Sequence, residues 1–342
     1  MNDLIGHRLE LEFNGAKLSV LDFARIFDGE TPGKSFERSV QFAQHAEQLG
    51  FSRVWYAEHH NMPTIASSSP AILIAHVAAH TEYIRLGAGG IMLPNHSPYI
   101  IAEQFGMLAE LHPGRIDLGL GRAPGTDQNT LGRALRRSPA AAEHFPEDII
   151  ELQRYLTDDS QIPGVRAIPG AGTNVPLYIL GSSLFGARLA AKLGLPYAFA
   201  SHFAPTHLDE AIETYRAEFQ PSAILDKPYI IAAMNVVAAD TSKHAEEQWQ
   251  AVRRKWVRNM LNTKVPISEA QLTEFMESYG AQQILDMLRY TAHGDKAEVH
   301  TQIAQFQQRT GTDELMLTFQ GPRWTDALHS MQLVAEGSKE LS

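Results

Sequence analysis

The chain has 342 residues, 44% of them hydrophobic and 20% charged, a balance that buries a large core and argues against disorder. With 29 Lys plus Arg against 39 Asp plus Glu the formal charge is −10, which on average repels nucleic acid and anionic membranes. Cysteine is absent, which removes disulfides, thiolate metal sites, iron–sulfur clusters and a cysteine nucleophile together, and suits the cytoplasm.

Residues 1–17 read as a polar N-terminal leader without the basic-then-apolar order of a signal peptide, and no apolar run approaches the ~20 residues of a membrane span. "LSVLDF" (18–23) reads as a buried strand. In "SFERSVQFAQHAEQLG", Phe36, Val40, Ala43 and Ala46 recur at helical spacing, and Gly50 ends the helix. "SRVWYA" (52–57) is a second strand, and "SSSPAILIAHVAAH" a helix with Ser69 as cap and Pro70 at its first position. "IRLGAGGIML" (84–93) is strand, 99–112 helix, "GRIDLGLG" (114–121) strand, and about 140–156 helix. Strand 176–180, helix 183–194, strand 196–200, helix 206–219 and strand 229–238 continue the alternation. A helical stretch from 242 to about 290, a helix over 296–309, strand 314–319 and a closing helix complete it.

Strands alternating with helices of this size imply parallel pairing with right-handed crossovers, and a count of eight favours closure. The expectation is an α/β fold, a (β/α)8 TIM barrel formed by one domain over 18–342, with a helical insertion at about 242–290 between the seventh and eighth strands.

Several motifs nearly match and fail. "GETPGKS" (29–35) is too short between glycines for a Walker A loop and reads as a solvated turn. "GLGRAPG" (119–125) is not the dinucleotide fingerprint, and "GSSLF" (181–185) lacks the last glycine of a nucleophile elbow. His59 and His60 are neighbours, so on extended backbone they point apart and do not readily share a metal.

Barrel chemistry gathers at the carboxyl ends of the strands. The second strand delivers Glu58, His59 and His60 there, and the third carries "GAGG", Gly87 to Gly90. Glycines inside a strand admit a close backbone approach by a flat ligand, or else mark a bulge that fits barrel curvature. The fourth strand ends in Arg122, a cation for the barrel mouth or a partner for Asp127. The fifth runs through Leu180 into Gly181, Ser182 and Ser183 at a helix start, where free amides and the dipole suit an anion. A planar slot, a cation and a phosphate cradle together fit flavin mononucleotide.

The stretches "AEHHNMPTIASSSPA", "IRLGAGGIMLPNHSPYIIAEQFGMLAELHPGRIDLGLGRAPGTDQ", "PLYILGSSLFGARLAAKLGLPYAFASHF" and "GTDELML" resemble the bacterial luciferase-like, flavin-dependent monooxygenase family, on its alkanal-monooxygenase-like, uncharacterised branch. The resemblance covers about 18–335. It implies reduced FMN, as cosubstrate or prosthetic group, and O2 acting through a C4a-(hydro)peroxyflavin on a small organic substrate, aldehyde-like or other. It implies His59 as the catalytic histidine and Glu58 as pocket lining. Gly89 and Gly90 match a pair joined by a cis peptide under the flavin, Arg122 a flavin contact, and Ser182 and Ser183 the phosphate turn. Arg136 or Arg137 would add a second phosphate arginine, and His202 would face the pocket or serve as a buried structural histidine.

Two departures stand out: Leu120 replaces the reactive cysteine of light-emitting members, and Ser182 replaces their glutamate. Light emission is not implied. A homodimer and a separate NAD(P)H-dependent flavin reductase are expected by resemblance alone. The rival readings are a deazaflavin-dependent hydride-transfer oxidoreductase, a non-catalytic flavin-binding barrel, and a metal hydrolase built on His59, His60 and Asp117.

Overall fold

In the computed structural model, residues 10–261 and 267–340 are described. Strand β1 (Glu12–Phe13) turns through Asn14 and Gly15, both at positive φ, and pairs antiparallel with β2 (Ala16–Asp22). The first nine residues of the expected leader lie outside the described residues. Leu11, Phe13 and Ala16 are buried, so the remainder of that stretch joins the core.

Helix α1 (Pro32–Leu49) begins at Thr31, whose side chain accepts from the Lys34 N–H, and stops at Gly50 with φ 97°. "GETPGKS" is therefore the entrance to this helix rather than a solvated turn. Next come β3 (Arg53–Tyr56), α2 (Pro70–Ala78), β4 (Arg85–Met92), α3 (Pro98–Leu111), β5 (Ile116–Gly121), α4 (Phe145–Thr157) and β6 (Leu177–Gly181). They lead to α5 (Leu184–Leu193), β7 (Tyr197–Phe199), α6 (Leu208–Glu218) and β8 (Ile230–Ala238). Pro70 opens α2 as expected, but the Ser69 side chain makes no capping bond.

The insertion holds α7 (Ser242–Leu261), α8 (Glu269–Met276) and α9 (Tyr279–Asp286). It also leads into β9 (Thr291–Gly294), which pairs parallel with the outer half of β8 through Asn235↔Thr291 and Ala238↔Gly294. This strand escapes the sequence pattern because it is four residues long and has no run of β-branched residues. Helix α10 (Lys296–Thr310), β10 (Glu314–Phe319) and α11 (Trp324–Glu340) close the chain.

Strands β2 to β8 pair in chain order, and β10 bridges β8 back to β2, so a parallel barrel closes as expected for a (β/α)8 fold. Helices cover the outside and side chains fill the inside, so strands read as unbroken apolar runs; all nine residues of β8 are buried. Leu21, Trp55, Tyr178, Ile231 and Met316 form the interior layer. No helix among the described residues is long and apolar enough to cross a membrane.

Below that layer the barrel is plugged by ions. Arg53 Nη1 donates to Asp117 Oδ2 at 2.8 Å and to Tyr178 Oη at 2.7 Å, and its Nε lies 2.9 Å from Glu314 Oε1. Arg85 Nη2 meets the other Asp117 oxygen at 2.5 Å, and Tyr229 donates to Glu314 at 2.7 Å. Both carboxylates are fully buried; burial disfavours the Arg53 charge, but Glu314 and Asp117 outweigh it and hold its pKa well above the usual range. This floor occupies the start of β3, β5, β6 and β10 and leaves the carboxyl ends open for chemistry.

Candidate active site

The Glu-His-His run leaves β3 just past Tyr56, where the backbone is no longer a strand. Glu58 turns inward and is wholly buried. Its Oε1 accepts from His60 Nε2 and from His96 Nε2, each at 2.8 Å, and its Oε2 accepts from the Met92 N–H at 2.9 Å. Burial opposes its ionisation, but the bonds from His60 and His96 outweigh that and hold the carboxyl below its ordinary range. His96, which joins this cluster from the loop after β4, was not singled out from sequence. The only signal was a histidine shortly after the glycine-rich strand.

His59 faces the other way. Its ring stacks on Phe23 with centroids 6.2 Å apart and planes 27° apart, and Phe23 in turn lies 5.9 Å from the His202 ring. The Nδ1 atoms of His59 and His202 are buried without a protein partner. Burial lowers the pKa of His59, partly opposed by the Gly125 carbonyl and the Glu58 charge. Burial, with His59 nearby, takes His202 down to about 3, so both rings are neutral near pH 7. Asn235 Nδ2 donates to the His202 carbonyl at 2.6 Å and fixes that turn.

Gly89 and Gly90 are joined by a cis peptide. A Cβ on Gly90 would stand 2.7 Å from Gly119 O and 3.1 Å from Leu180 Cδ2; one on Gly89 would stand 2.9 Å from Trp55 Cβ. The β4–β5 register also shifts between Ala88 and Ile91. Close packing of the neighbouring strands thus requires the bare backbone here, while Gly89 itself stays partly exposed at the inner wall.

Leu180 links this wall to the next element. After Gly181 and the exposed Ser182, Ser183 takes the N-cap position of α5 in extended conformation with no side-chain capping bond, so its hydroxyl and the first helical amides are open. The Arg122 guanidinium lies 4.1 Å from the centroid of Phe185 in the first turn of that helix. Gly90, Leu180, Ser183 and Arg122 are therefore one connected wall. Arg122 does not take Asp127, whose carboxylate instead accepts from Asn61 Nδ2 at 3.1 Å and from Thr130 Oγ1 at 2.6 Å.

The loop after β5 joins that wall to the histidines: the His60 N–H donates to Gly125 O at 3.1 Å, and Thr126 Oγ1 donates to His60 O at 3.1 Å. Arg137 Nε donates to Asn95 O at 3.0 Å, which holds it beside the loop after β4, whereas Arg136 is exposed at φ 56°. Leu120 is fully buried with Leu118 in the main core. Asp117 belongs to the ionic floor, and among the described residues no three His, Asp or Glu side chains group as a metal site.

The sequence model of the luciferase-like monooxygenases matches residues 16–314. A luciferase-like monooxygenase of Escherichia coli (strain K12) is 43% identical over 328 residues, covering 94% of this chain and 97% of its own. The crystal structure of apo-MsnO8 superposes with TM-score 0.84 at 34% identity, over 95% of this chain and 98% of that one. At 16% identity the likeness is of fold alone. At that level stand the oxygenating constituent of the Pseudomonas putida 3,6-diketocamphane monooxygenase in complex with FMN (TM-score 0.69, 94% and 97% covered) and an F420-dependent secondary alcohol dehydrogenase (0.67, 93% and 98%). With the family's sequence model matched along most of its length, the chain belongs to the luciferase-like monooxygenase family.

Proposed function

We propose that the protein is an FMN-dependent monooxygenase that takes reduced FMN at the barrel mouth and uses O2 to oxidise a small organic substrate. The observation that carries this reading is a neutral histidine with an unpartnered, buried Nδ1 at the carboxyl end of a barrel that there also carries bare backbone and an open helix N-terminus. Reduced FMN would supply the electrons that activate O2. Gly89 and Gly90 would back its ring, and Arg122, Ser182, Ser183 and the α5 amides would hold its phosphate. His59, whose charged form burial disfavours, would accept or return a proton at its unpartnered Nδ1. Phe23 and the interior layer would exclude water from the reacting atoms.

The protein would work in the cytoplasm and draw reduced FMN from a separate NAD(P)H-dependent reductase. Its homodimer would form through α2 and α3, which are neighbours and expose Ile72 (72%), Met107 (54%) and Leu111 (63%). The test is anaerobic titration with photoreduced FMN and with reduced deazaflavin, followed by oxygen and a panel of aldehydes and thioethers. FMN binding with oxygenated product supports the reading. Selective deazaflavin binding with oxygen-independent hydride transfer would replace it, and FMN binding without turnover of any compound would leave a binding-only barrel.

A further inference from the structure

Alternate residues of β2 point into the barrel: Ser19 bonds Glu314 and Leu21 joins the interior layer, against which Phe23, just past the strand, packs. Ala24, at φ 48°, breaks the alternation, and Arg25 is placed by its side-chain bond to the residue that follows β10. Its Nη2 donates to Gln320 Oε1, and Gln320 Nε2 donates to Thr318 Oγ1 at 2.8 Å and Asn235 Oδ1 at 3.2 Å. Asn235 donates to the His202 carbonyl, so one hydrogen-bond chain runs from Arg25 to the backbone of the turn that carries His202.

Between the splayed ends of β2 and β10 lies a cavity of about 40 Å³ lined by Phe23, Arg25, Ser35, Gln320 and Trp324. That volume holds a few water-sized groups, since about 10–15 Å³ of such space accepts one water. Ser35 Oγ is buried in its wall with no partner. The other charged side chains around the cavity are already matched. Asp22 accepts from Ser39 Oγ at 2.6 Å and from the Ala24 N–H at 2.8 Å, and Arg38 is held by both oxygens of Glu30. Among the described residues no carboxylate forms an ion pair with Arg25; Asp22 acts on it only at longer range. Burial lowers Arg25 to about 10, so it stays charged at neutral pH.

We infer that this cavity is a subsite for the carboxylate of an acidic substrate, with Arg25 and Ser35 as its donors, so that Phe23 separates the substrate's charged end from the reacting end beside His59. The inference deepens the monooxygenase reading and rests on it. A guanidinium with spare N–H groups and a buried hydroxyl without a partner match two carboxylate oxygens, whereas a neutral substrate leaves the cation only the longer-range attraction of Asp22, whose oxygens are taken by Ser39 and the Ala24 N–H.

Calorimetric titration of octanoate and octanamide, into the protein with and without bound FMN, tests it. Wild type is expected to bind octanoate about tenfold or more tightly than octanamide, because only the acid forms a charge-assisted hydrogen bond with Arg25. Arg25→Gln should erase that ratio, Arg25→Lys should keep part of it, and all three should melt within a few degrees of one another and bind FMN alike. No preference for the acid in wild type, or a preference that survives Arg25→Gln, overturns the subsite. An acid preference in a protein that binds no FMN would uphold the subsite while removing the flavin assignment.

Discussion

His96 Nε2 donates to Glu58 Oε1 at 2.8 Å across 38 residues of chain, and His60 Nε2 shares that oxygen. An ionised carboxylate only accepts, so each imidazole must carry a proton on Nε2, and both ring orientations are fixed. With the Met92 N–H on the second oxygen, one side chain staples the loop after β3 to the loop after β4. His59 sits within that stapled segment but spends neither ring nitrogen on Glu58, which leaves it available for chemistry.

Glu58→Ala removes the acceptor from three donors at once. Leaving a buried donor unsatisfied costs roughly 1–3 kcal/mol, and both histidine rings reach some solvent, so a loss of about 3 kcal/mol is expected in urea denaturation. Glu58→Gln keeps an acceptor oxygen and should lose clearly less.

His202 sets a pH dependence of stability. Its folded pKa, about 3, lies below the ordinary 6.5, so the unfolded chain takes up the proton first. The stability it contributes is complete above about pH 6.5 and is lost as pH falls toward 3, at about 1.4 kcal/mol per unit. Relative to His202→Gln, the wild type should be weaker by about 2 kcal/mol at pH 5 than at pH 7 in paired denaturation curves.

The exposed faces of α2 and α3 bear on assembly. Leu111 is 63% exposed and Ile72 72%, on two helices that are neighbours. If the proposed homodimer forms there, Leu111→Asp should sediment as a monomer in analytical ultracentrifugation while wild type sediments as a dimer, with the melting temperature little changed; a monomeric wild type would remove the interface.

Much of the barrel was legible because strands covered on both faces are continuous apolar runs while the helices between them keep a 3.6-residue period. Strand β9 was not, since its four residues gain their place only by lying beside the outer half of β8. The adjacent histidines diverge: His60 turns to Glu58 and His59 to Phe23. Their sequence does not say which one meets the acid, because the strand ends at Tyr56 and alternation lapses. The glycines were visible, but their reason was not. Gly90 faces Gly119 and Leu180 only through a register shift between β4 and β5, a tertiary fact. His96 and Arg25 were missed because their partners, Glu58 and Gln320, lie 38 and 295 positions away.

On the proposed function, one continuous wall from the glycine pair through Leu180 to the start of α5 holds reduced FMN near His59. Anaerobic titration of photoreduced FMN into wild type, Ser183→Asp and His59→Ala, followed by an oxygen pulse with the released hydrogen peroxide quantified, tests it most directly. A carboxylate at the helix start repels the phosphate, so Ser183→Asp should weaken FMN binding by about tenfold or more. His59→Ala should keep affinity within about threefold, a difference under ~0.7 kcal/mol, yet release more peroxide per flavin reoxidised. Superimposable titrations for wild type and Ser183→Asp, together with unchanged peroxide release in His59→Ala, would rule out both the phosphate site at α5 and the role of His59.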